Sequence, residues 1–378
     1  MKKGITITVL FILLVSLVTG CGGSGMADIS SDKFEGFSNT EYNPETDFQY
    51  FFSDLSQAAL AGNGYYVLGY DSKLYYLEKG IMQPIPACSK IDCSHDTYDC
   101  DAYIDSVSAF RYYDGYLYYI KNEFGNKNIL YRRTLDSLRI EKVCDLIKAE
   151  STNVSELGLH RGYMCYSVVS SGGSEDICTL YRVDLDKGKI EKVYEYKAFF
   201  ADLYRFIGYG DGVLFIRSCA LDKDYTEFRY DLCYYDYTKN RISVVIENSG
   251  GDYAIADDNI YYYSDGGVYR YDIMSGNKEL FYSIDEPVLV SYDGKYLYFN
   301  NIRAYYLDIV DSSDCRLYIT DMQGNLIDTV SIVPYCVYYG DTDYMFQQGL
   351  RNIEYLDKSK IGAADNDWTE IGINSGYN

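Results

Sequence analysis

Three cysteines and one histidine lie close together in the first third of the chain. They are Cys88, Cys93, His95 and Cys100, in the spacing C-x4-C-x-H-x4-C. Thiolate sulfur and imidazole nitrogen are the ligands that zinc and similar soft metals prefer, usually four in a tetrahedron. The segment is therefore compatible with a metal site, which would be structural because four protein ligands leave no open position for a substrate. The alternative is a disulfide within the cluster, with the third cysteine paired elsewhere and His95 exposed.

The other cysteines are spread over predicted strands. Cys219 and Cys233 flank the loop of a hairpin centred near residue 226. Residues that face each other on antiparallel strands can be bridged when the pair is not hydrogen-bonded, so we predict that a Cys219–Cys233 disulfide can form. Cys144, Cys315 and Cys336 are expected to be buried free thiols that act as small hydrophobic residues.

No segment has the spacing of a familiar catalytic motif. The phrases G-x-S-x-G and H-E-x-x-H and the phosphate-binding loop do not occur in the sequence. His160, the second of two histidines, is expected to lie in a solvated loop. A catalytic carboxylate pair cannot be recognised among 56 acidic residues, because some pair always meets in space. We therefore predict no catalytic residue, and the sequence favours a non-enzymatic protein.

The charge of the chain limits its partners. Asp and Glu outnumber Lys and Arg by 56 to 34, which gives a net charge of -22. Such a surface is repelled by the phosphates of nucleic acids and by anionic lipid headgroups. The sequence therefore excludes nucleic acid as a partner.

The elements that must position these residues repeat along the chain. From residue 64 a short turn with Gly or Asp leads into a tyrosine-rich alternating strand. The turns are centred at residues 64, 115, 162, 212, 259, 294 and 342. Asp-Gly between apolar runs favours a two-residue hairpin turn, and a second hairpin follows most of these phrases. Each repeat of about 46 residues therefore holds four antiparallel strands.

A four-stranded unit with this period is typical of a β-propeller blade. We predict an all-β fold with seven four-stranded blades, with six or eight as the alternatives. The 46 tyrosines of the chain fall mainly in the strand phrases, where their rings are expected to pack between blades. Residues 47–52 and 368–373 are the segments expected to close the ring.

The N-terminus has the pattern of a targeting signal. Lys2 and Lys3 precede an apolar run, residues 5–18, of the length found in signal peptides rather than membrane spans. The run ends in Leu17-Val18-Thr19-Gly20-Cys21, which resembles the lipobox of bacterial lipoproteins. The resemblance implies cleavage after Gly20 and attachment of a diacylglycerol to Cys21.

These patterns divide the chain into three parts. Residues 1–20 are the predicted signal peptide. Residues 21–46 are rich in Gly, Ser, Asp, Asn and Glu and are predicted to be a flexible tether that begins at the lipidated Cys21. Residues 47–378 are predicted to form a single propeller domain.

The repeats, placed behind a lipobox, resemble a known group of proteins. Asp114-Gly115-Tyr116-Leu117-Tyr118-Tyr119 and Leu180-Tyr181-Arg182-Val183-Asp184 are similar to phrases in the propeller lipoproteins of Gram-positive gut bacteria. A more remote likeness is to the tyrosine-rich propellers of low-density lipoprotein receptors. The Tyr-Trp-Thr-Asp phrase of those receptors is absent, and the single tryptophan is Trp368. The resemblance implies a fold and transfers no activity.

The predicted protein is therefore lipid-anchored on the extracytoplasmic face of the cell membrane, which it contacts through the lipid. It binds or scaffolds a protein or glycan ligand through one propeller face. The sequence does not identify its cofactor, and a structural zinc ion is the one candidate. One alternative is a glycan receptor, which would require exposed tyrosines clustered around the channel mouth. The other is a polysaccharide-active enzyme, which would require convergent polar side chains with shifted pKa values in a cleft.

Overall fold

The computed structural model describes residues 28–29, 34–43, 47, 52–53, 58–123, 127–136, 138–147, 154, 156–171, 173–334, 336–349, 352–363 and 367–373. The predicted signal peptide and Cys21 lie outside the described residues. Within the described ranges, no helix has the length and apolar character needed to cross a membrane.

The chain folds into seven blades, each a sheet of four antiparallel strands in sequential order. Two short strands precede them, β1 (Asp28–Ile29) and β2 (Phe52–Ser53). The first three blades contain β3 (Ala58–Ala61), β4 (Gly64–Leu68), β5 (Leu74–Glu78), β6 (Pro84–Pro86); β7 (Val107–Tyr113), β8 (Tyr116–Glu123), β9 (Lys127–Thr134), β10 (Ile140–Leu146); β11 (Gly158–His160), β12 (Tyr163–Ser171), β13 (Asp176–Asp184) and β14 (Lys189–Ala198).

Blades 4 to 7 follow the same order. They contain β15 (Ala201–Tyr209), β16 (Gly212–Ala220), β17 (Phe228–Asp236), β18 (Arg241–Ile246); β19 (Tyr253–Ala256), β20 (Asn259–Ser264), β21 (Gly267–Asp272), β22 (Lys278–Ser283); β23 (Leu289–Tyr292), β24 (Leu297–Asn300), β25 (Arg316–Thr320), β26 (Leu326–Ser331); β27 (Val337–Gly340), β28 (Tyr344–Gln348), β29 (Ile353–Asp357) and β30 (Thr369–Ile371). A short helix, α1 (Ile302–Tyr306), lies between β24 and β25, and 3-10 turns cover Ser312–Asp314 and Lys358–Lys360. The prediction of a seven-bladed β-propeller is confirmed.

The first strands of neighbouring blades contact one another around the axis, as β3 and β7, β11 and β15, and β19 and β23 do. Because adjacent strands are antiparallel, connections between first and second strands lie at one end of each blade, and connections between second and third strands lie at the other. We call these two sides the turn face and the loop face.

The local sequence explains the hairpins and the packing. Asp114 and Gly115 both have positive φ, 47° and 81°, as a type I′ turn requires. Second strands such as β16 are buried on both faces and therefore consist mainly of apolar residues. Eight tyrosines are among the largest fully buried side chains: Tyr65, Tyr166, Tyr234, Tyr235, Tyr253, Tyr261, Tyr262 and Tyr298. The tyrosine-rich phrases therefore pack between blades, as predicted.

Parts of both segments predicted to close the ring belong to the sheet of blade 7, whereas Asp47 pairs with Arg161 and residues 48–51 lie outside the described residues. In β2, Phe52 pairs with Gly340 at the inner edge of this blade, and β30 is its outermost strand. The N-terminal strand β2 thus joins the sheet that the C-terminal strands form, and blade 1, which is built from its own four strands, packs against this sheet across the seam. Tyr65 lies 4.8 Å from the ring of Phe346 in that interface.

Residues 34–43, which we call the strap, lie against the propeller. This differs from the predicted flexible tether over residues 21–46. The physical reason is packing between aromatic rings. The rings of Phe34 and Phe37 pack edge-on against Tyr234, and Phe37 also contacts Tyr209. Upstream, β1 pairs in parallel with β18 at the outer edge of blade 4.

The Cys219–Cys233 disulfide prediction is wrong, because the register of the hairpin separates the two residues. Cys219 faces Arg229, and Cys233 faces Phe215. The two cysteines are thus offset by four residues along their strands, about 13 Å at 3.3 Å per residue. Both thiols are free and buried.

Candidate functional site

The first strands of the blades enclose a central channel. Its cavity is open to solvent and is lined by residues from blades 1 to 6. Arg111, Glu156 and Arg205 bring charge into this otherwise largely apolar wall. Arg205 has φ 61° and lies where the pairing of β15 with β16 shifts register between Tyr204 and Ile207. Such a bulge redirects a side chain, and sequence alternation does not reveal it.

The charges in the channel compensate one another. Arg205 Nε lies 2.7 Å from Asp252 Oδ1, and the backbone N–H of Arg205 donates to Glu156 Oε2 at 2.8 Å. Burial raises the pKa of Glu156 to about 7, and the nearby Arg111 opposes this shift. Burial also raises the pKa of Asp252, against the effect of Arg205.

Shifted pKa values in a cleft are what the enzyme hypothesis requires. Here, however, each carboxylate already accepts a backbone N–H: Asp252 Oδ2 from Val290, and Glu156 from Arg205. Each also has an arginine as its neighbour. This is the pattern of one ion pair, Arg205–Asp252, within a hydrogen-bond network that joins blades 3 to 6.

His160 is buried, and the prediction that it lies in a solvated loop is wrong. Its Nε2 lies 2.7 Å from the carbonyl oxygen of Gly210, and burial lowers its pKa. A Cβ atom at Gly208 would lie 2.1 Å from His160 Cγ, so only glycine leaves room for the ring. The histidine thus ties blade 3 to blade 4.

The next residue, Arg161, fixes the strap to the turn face. Its Nε and Nη2 donate to the two carboxylate oxygens of Asp47, each at 2.8 Å. Its Nη1 donates to Asn39 O at 3.0 Å and to Asp211 Oδ1 at 2.6 Å, and Nη2 also donates to Glu41 O at 2.8 Å. Although burial opposes it, the hydrogen bonds from Arg161 lower the pKa of Asp47. Sequence reasoning missed this clamp, because its partners, two carboxylates and two backbone carbonyls, lie 50 to 122 positions away from Arg161 in the sequence.

The four residues predicted as metal ligands converge. The ligand atoms of Cys88, Cys93, His95 and Cys100 all lie within 4.8 Å of one another, and the three cysteines are free. His95 Nδ1 lies 3.3 Å from Cys100 Sγ. The cluster is in the connector between β6 and β7, at the boundary of blades 1 and 2. Its donor set suits a soft divalent metal such as zinc.

Exposed tyrosines do not gather around the channel. Among the described tyrosines, the well-exposed ones are Tyr42, Tyr98, Tyr225 and Tyr306. They lie in the strap, in the metal-ligand connector, in a blade 4 loop and at the end of α1. Tyr42 alone of these four lies in a pocket by the channel mouth. The glycan-receptor hypothesis thus loses its main support.

The loop face carries exposed apolar side chains on two long loops, residues 221–228 of blade 4 and residues 301–315 of blade 6. We call the following six residues the loop-face patch: Leu221, Tyr225, Phe228, Tyr306, Leu307 and Ile309. The two loops are joined through Tyr230, whose ring stacks on Phe228 and lies 5.2 Å from the Arg303 guanidinium. The loops also hold six carboxylates against two basic residues, Lys223 and Arg303.

No protein-family model matches the sequence, and no curated protein is significantly similar to it. PorZ, a surface component of the type-IX secretion system of Porphyromonas gingivalis, is 13% identical with a TM-score of 0.51, over 86% of this chain and 39% of PorZ. A puromycin hydrolase is 11% identical with a TM-score of 0.51, over 84% of this chain and 54% of the hydrolase. TolB from Acinetobacter baumannii is 12% identical with a TM-score of 0.41, over 71% of this chain and 64% of TolB.

The chain therefore spans less than two thirds of each of these proteins. Identities of this size show a shared fold and carry no chemistry from one protein to another. The chain is a seven-bladed β-propeller, a fold compatible with a binding or scaffolding module.

Proposed function

We propose that this protein is a lipid-anchored, extracytoplasmic module that binds a protein partner through its loop face. The observation that carries the binding proposal is the loop-face patch. Exposed apolar area on two neighbouring loops is uncommon on a monomer surface and marks interaction sites. Loops positioned by a rigid scaffold are also where binding surfaces usually lie.

The charge around the patch specifies the partner. Asp222, Asp224 and Glu227 accompany the patch in blade 4, and Asp308, Asp311 and Asp314 accompany it in blade 6. An apolar centre with an acidic rim complements a protein surface with an apolar centre and a basic rim. The partner is therefore a protein with a basic face.

The strap supports an orientation in which this face is free. Arg161 and Phe37 hold the strap on the turn face and on blade 4. If Cys21 is lipidated, the seven residues from it to Asp28 span at most about 25 Å. The lipid would then hold the outer edge of blade 4 near the membrane, and the strap would occupy the turn face rather than the loop face.

Anchoring is tested by the Cys21→Ser variant. We expect the wild-type chain in the membrane fraction and the variant in the soluble extracytoplasmic fraction. A variant that stays in the membrane would contradict the lipid anchor, and it would leave the binding proposal unaffected.

Binding is tested by placing a photo-crosslinking amino acid at Leu307 in living cells. The matched control places the same amino acid at Lys187, in the turn after β13 on the turn face, where the side chain is 76% exposed. We expect a discrete protein adduct from position 307 that disappears when Ile309→Asp is added, and no such adduct from position 187. Equal adducts from both positions, or none from position 307, would overturn the proposal.

A further inference from the structure

We propose that Cys88, Cys93, His95 and Cys100 bind one zinc ion and that the buried Arg133 balances the charge of this centre. The inference is independent of the proposed binding function. It rests on two separate observations, the convergence of the four ligand atoms within 4.8 Å and the environment of Arg133.

Arg133 is a fully buried cation in β9 of blade 2. Its Nη1 donates to Asp101 O at 2.8 Å, and its Nη2 donates to Ala87 O at 2.9 Å. These two residues directly flank Cys100 and Cys88, so the guanidinium holds both ends of the ligand loop. The nearby Asp101 carboxylate accepts from Ser89 and lies 3.3 Å from Lys90 Nζ.

Within the part of the chain that the structure describes, no carboxylate forms an ion pair with Arg133. Its bonds are to carbonyl oxygens, which satisfy hydrogen bonds but carry no net charge. A buried charge without a counter-charge is strongly unfavourable. The fold therefore calls for a negative charge near the ligand loop.

The zinc centre supplies that charge. Three thiolates, a neutral imidazole and Zn²⁺ sum to a charge of minus one, which matches the single positive charge of Arg133. When zinc binds, the protons of the thiols leave to solvent, and sulfur–zinc bonds replace the sulfur–hydrogen bonds. Four protein ligands close the coordination shell, so the site is structural.

The local backbone favours sulfur ligands. The N–H of Ala102 donates to Cys100 Sγ at 3.4 Å. His95 lies beside Cys100 with a φ of 60°, a backbone conformation that is unfavourable for residues other than glycine.

The centre fastens blade 1 to blade 2. The ligand loop leaves blade 1 at Ala87, whose N–H donates to Leu74 O, and returns at Ala102, whose carbonyl accepts from Leu74 N–H. Arg133 then connects both ends of this loop to the third strand of blade 2. A metal inside the loop therefore stabilises the boundary between two blades.

The test begins with metal analysis of the full chain purified in detergent. We expect one zinc per chain, and we expect Co²⁺ to replace it with the visible bands and the thiolate charge-transfer band of a tetrahedral site. Cys93→Ser should lose the zinc, whereas Cys336→Ser, which removes a cysteine outside the cluster, should keep one equivalent. A protein that contains no zinc and has two fewer free thiols would indicate a disulfide and overturn the proposal. Zinc that remains bound to the Cys93→Ser variant would also overturn it.

The role of Arg133 is tested by zinc affinity, measured in competition with a chromophoric chelator. We expect Arg133→Met to weaken zinc binding about 10- to 100-fold, as loss of groups that support metal ligands does. Arg133→Lys keeps the charge and should recover part of that loss. Equal affinities for the Met and Lys variants would show that charge is not what Arg133 provides. If Arg133→Met does not fold, the Lys variant and the Cys93→Ser comparison still decide the proposal.

Discussion

Glu156 shows how the fold, rather than the residue type, creates a group with unusual behaviour. It lies on the channel wall, where burial raises its pKa to about 7 and the nearby Arg111 opposes the shift. The unfolded chain has no such environment, so there the carboxyl group ionises near its ordinary pKa of about 4.3. The folded state therefore favours the neutral acid, and stability must fall as pH rises between these two values.

The Glu156→Gln substitution should remove this pH dependence. Glutamine resembles the neutral acid, so its benefit over the wild type should grow from about pH 4.5 to pH 7 and stay constant above. At pH 8 we expect the free energy of unfolding to be higher by about 1–3 kcal/mol. Denaturant unfolding at pH 4.5 and pH 8 measures the difference. The exposed Glu78→Gln is the control, and a benefit that does not change with pH would contradict the shifted pKa.

At the same scale, spacing predicted the metal-ligand residues but not the channel charges. Cys88, Cys93, His95 and Cys100 are close in sequence, so their meeting requires only a loop. Glu156, Arg205 and Asp252 come from three different blades and meet because of a bulge in β15. Nothing in the local sequence of any of them points to the other two.

At the scale of elements, the strap is the part of the structure that composition describes least well. Its Gly, Ser, Asn and Glu residues are typical of a flexible tether, yet two phenylalanines and a set of backbone carbonyls are enough to hold it. The strap lies close against Gly210 of the propeller. The φ of Gly210 is 56°, and an added Cβ would lie 2.4 Å from Ser38 O. The hairpins, in contrast, could be predicted from the turn residues in the sequence. The strand register that separates Cys219 from Cys233 depends on the length of the loop between them, which the turn residues do not give.

Arg161→Ala should release the strap and leave the blades folded. The substitution removes the hydrogen bonds to Asn39 O and Glu41 O and leaves Asp47, 7% exposed, without its cation. We expect amide hydrogen exchange in residues 34–43 to speed up about 10-fold or more, with exchange in the blades unchanged.

The matched control is Arg139→Ala, which removes an arginine whose side chain is 72% exposed. It should leave exchange in the strap unchanged. Arg161→Lys keeps the charge but cannot hold Asp47 with two parallel bonds, so it should give an intermediate rate. Strap exchange that is the same in Arg161→Ala as in the wild type would show that the aromatic contacts hold the strap without the arginine.

At the scale of the whole molecule, the ring is reinforced where its ends meet. In each blade described next, the residue after the third strand donates its backbone N–H to a carbonyl oxygen in the first turn of the same blade. In blades 3, 4 and 5 this residue is Leu185, Tyr237 and Ile273, respectively. In blades 1 and 7 the same position holds Lys79 and Lys358. Each lysine reaches the turn aspartate of the preceding blade: Lys79 Nζ is 2.6 Å from Asp341, and Lys358 Nζ is 2.6 Å from Asp293.

Blade 7 is thus held on each side by a lysine–aspartate ion pair. Tyr65 and Tyr298 strengthen the two sites, since their hydroxyls donate to Asp341 at 2.9 Å and to Asp293 at 2.5 Å. One pair lies at the seam between blades 1 and 7, and the other lies at the neighbouring boundary between blades 6 and 7. The sequence predicted seven blades from the period of its turns, but not this arrangement, because each pair joins residues that are 65 or more positions apart.

The two pairs should differ in how much they stabilise the ring, because their burial differs. The side chains of Lys358 and Asp293 are 1% and 0% exposed, while that of Lys79 is 23% exposed. Removing one partner of a buried pair leaves a charge with neither water nor counter-ion, so Lys358→Met should lower the free energy of unfolding by about 3–5 kcal/mol. Lys79→Met should cost less, because Lys79 is partly exposed and solvent already screens its pair with Asp341. Adding Asp293→Asn to Lys358→Met removes the unpaired charge and should restore a large part of the lost stability.

Urea unfolding of the wild type, the two single lysine variants and the double variant at neutral pH measures these differences. Equal losses for the two lysine variants would show that burial does not set the strength of these pairs.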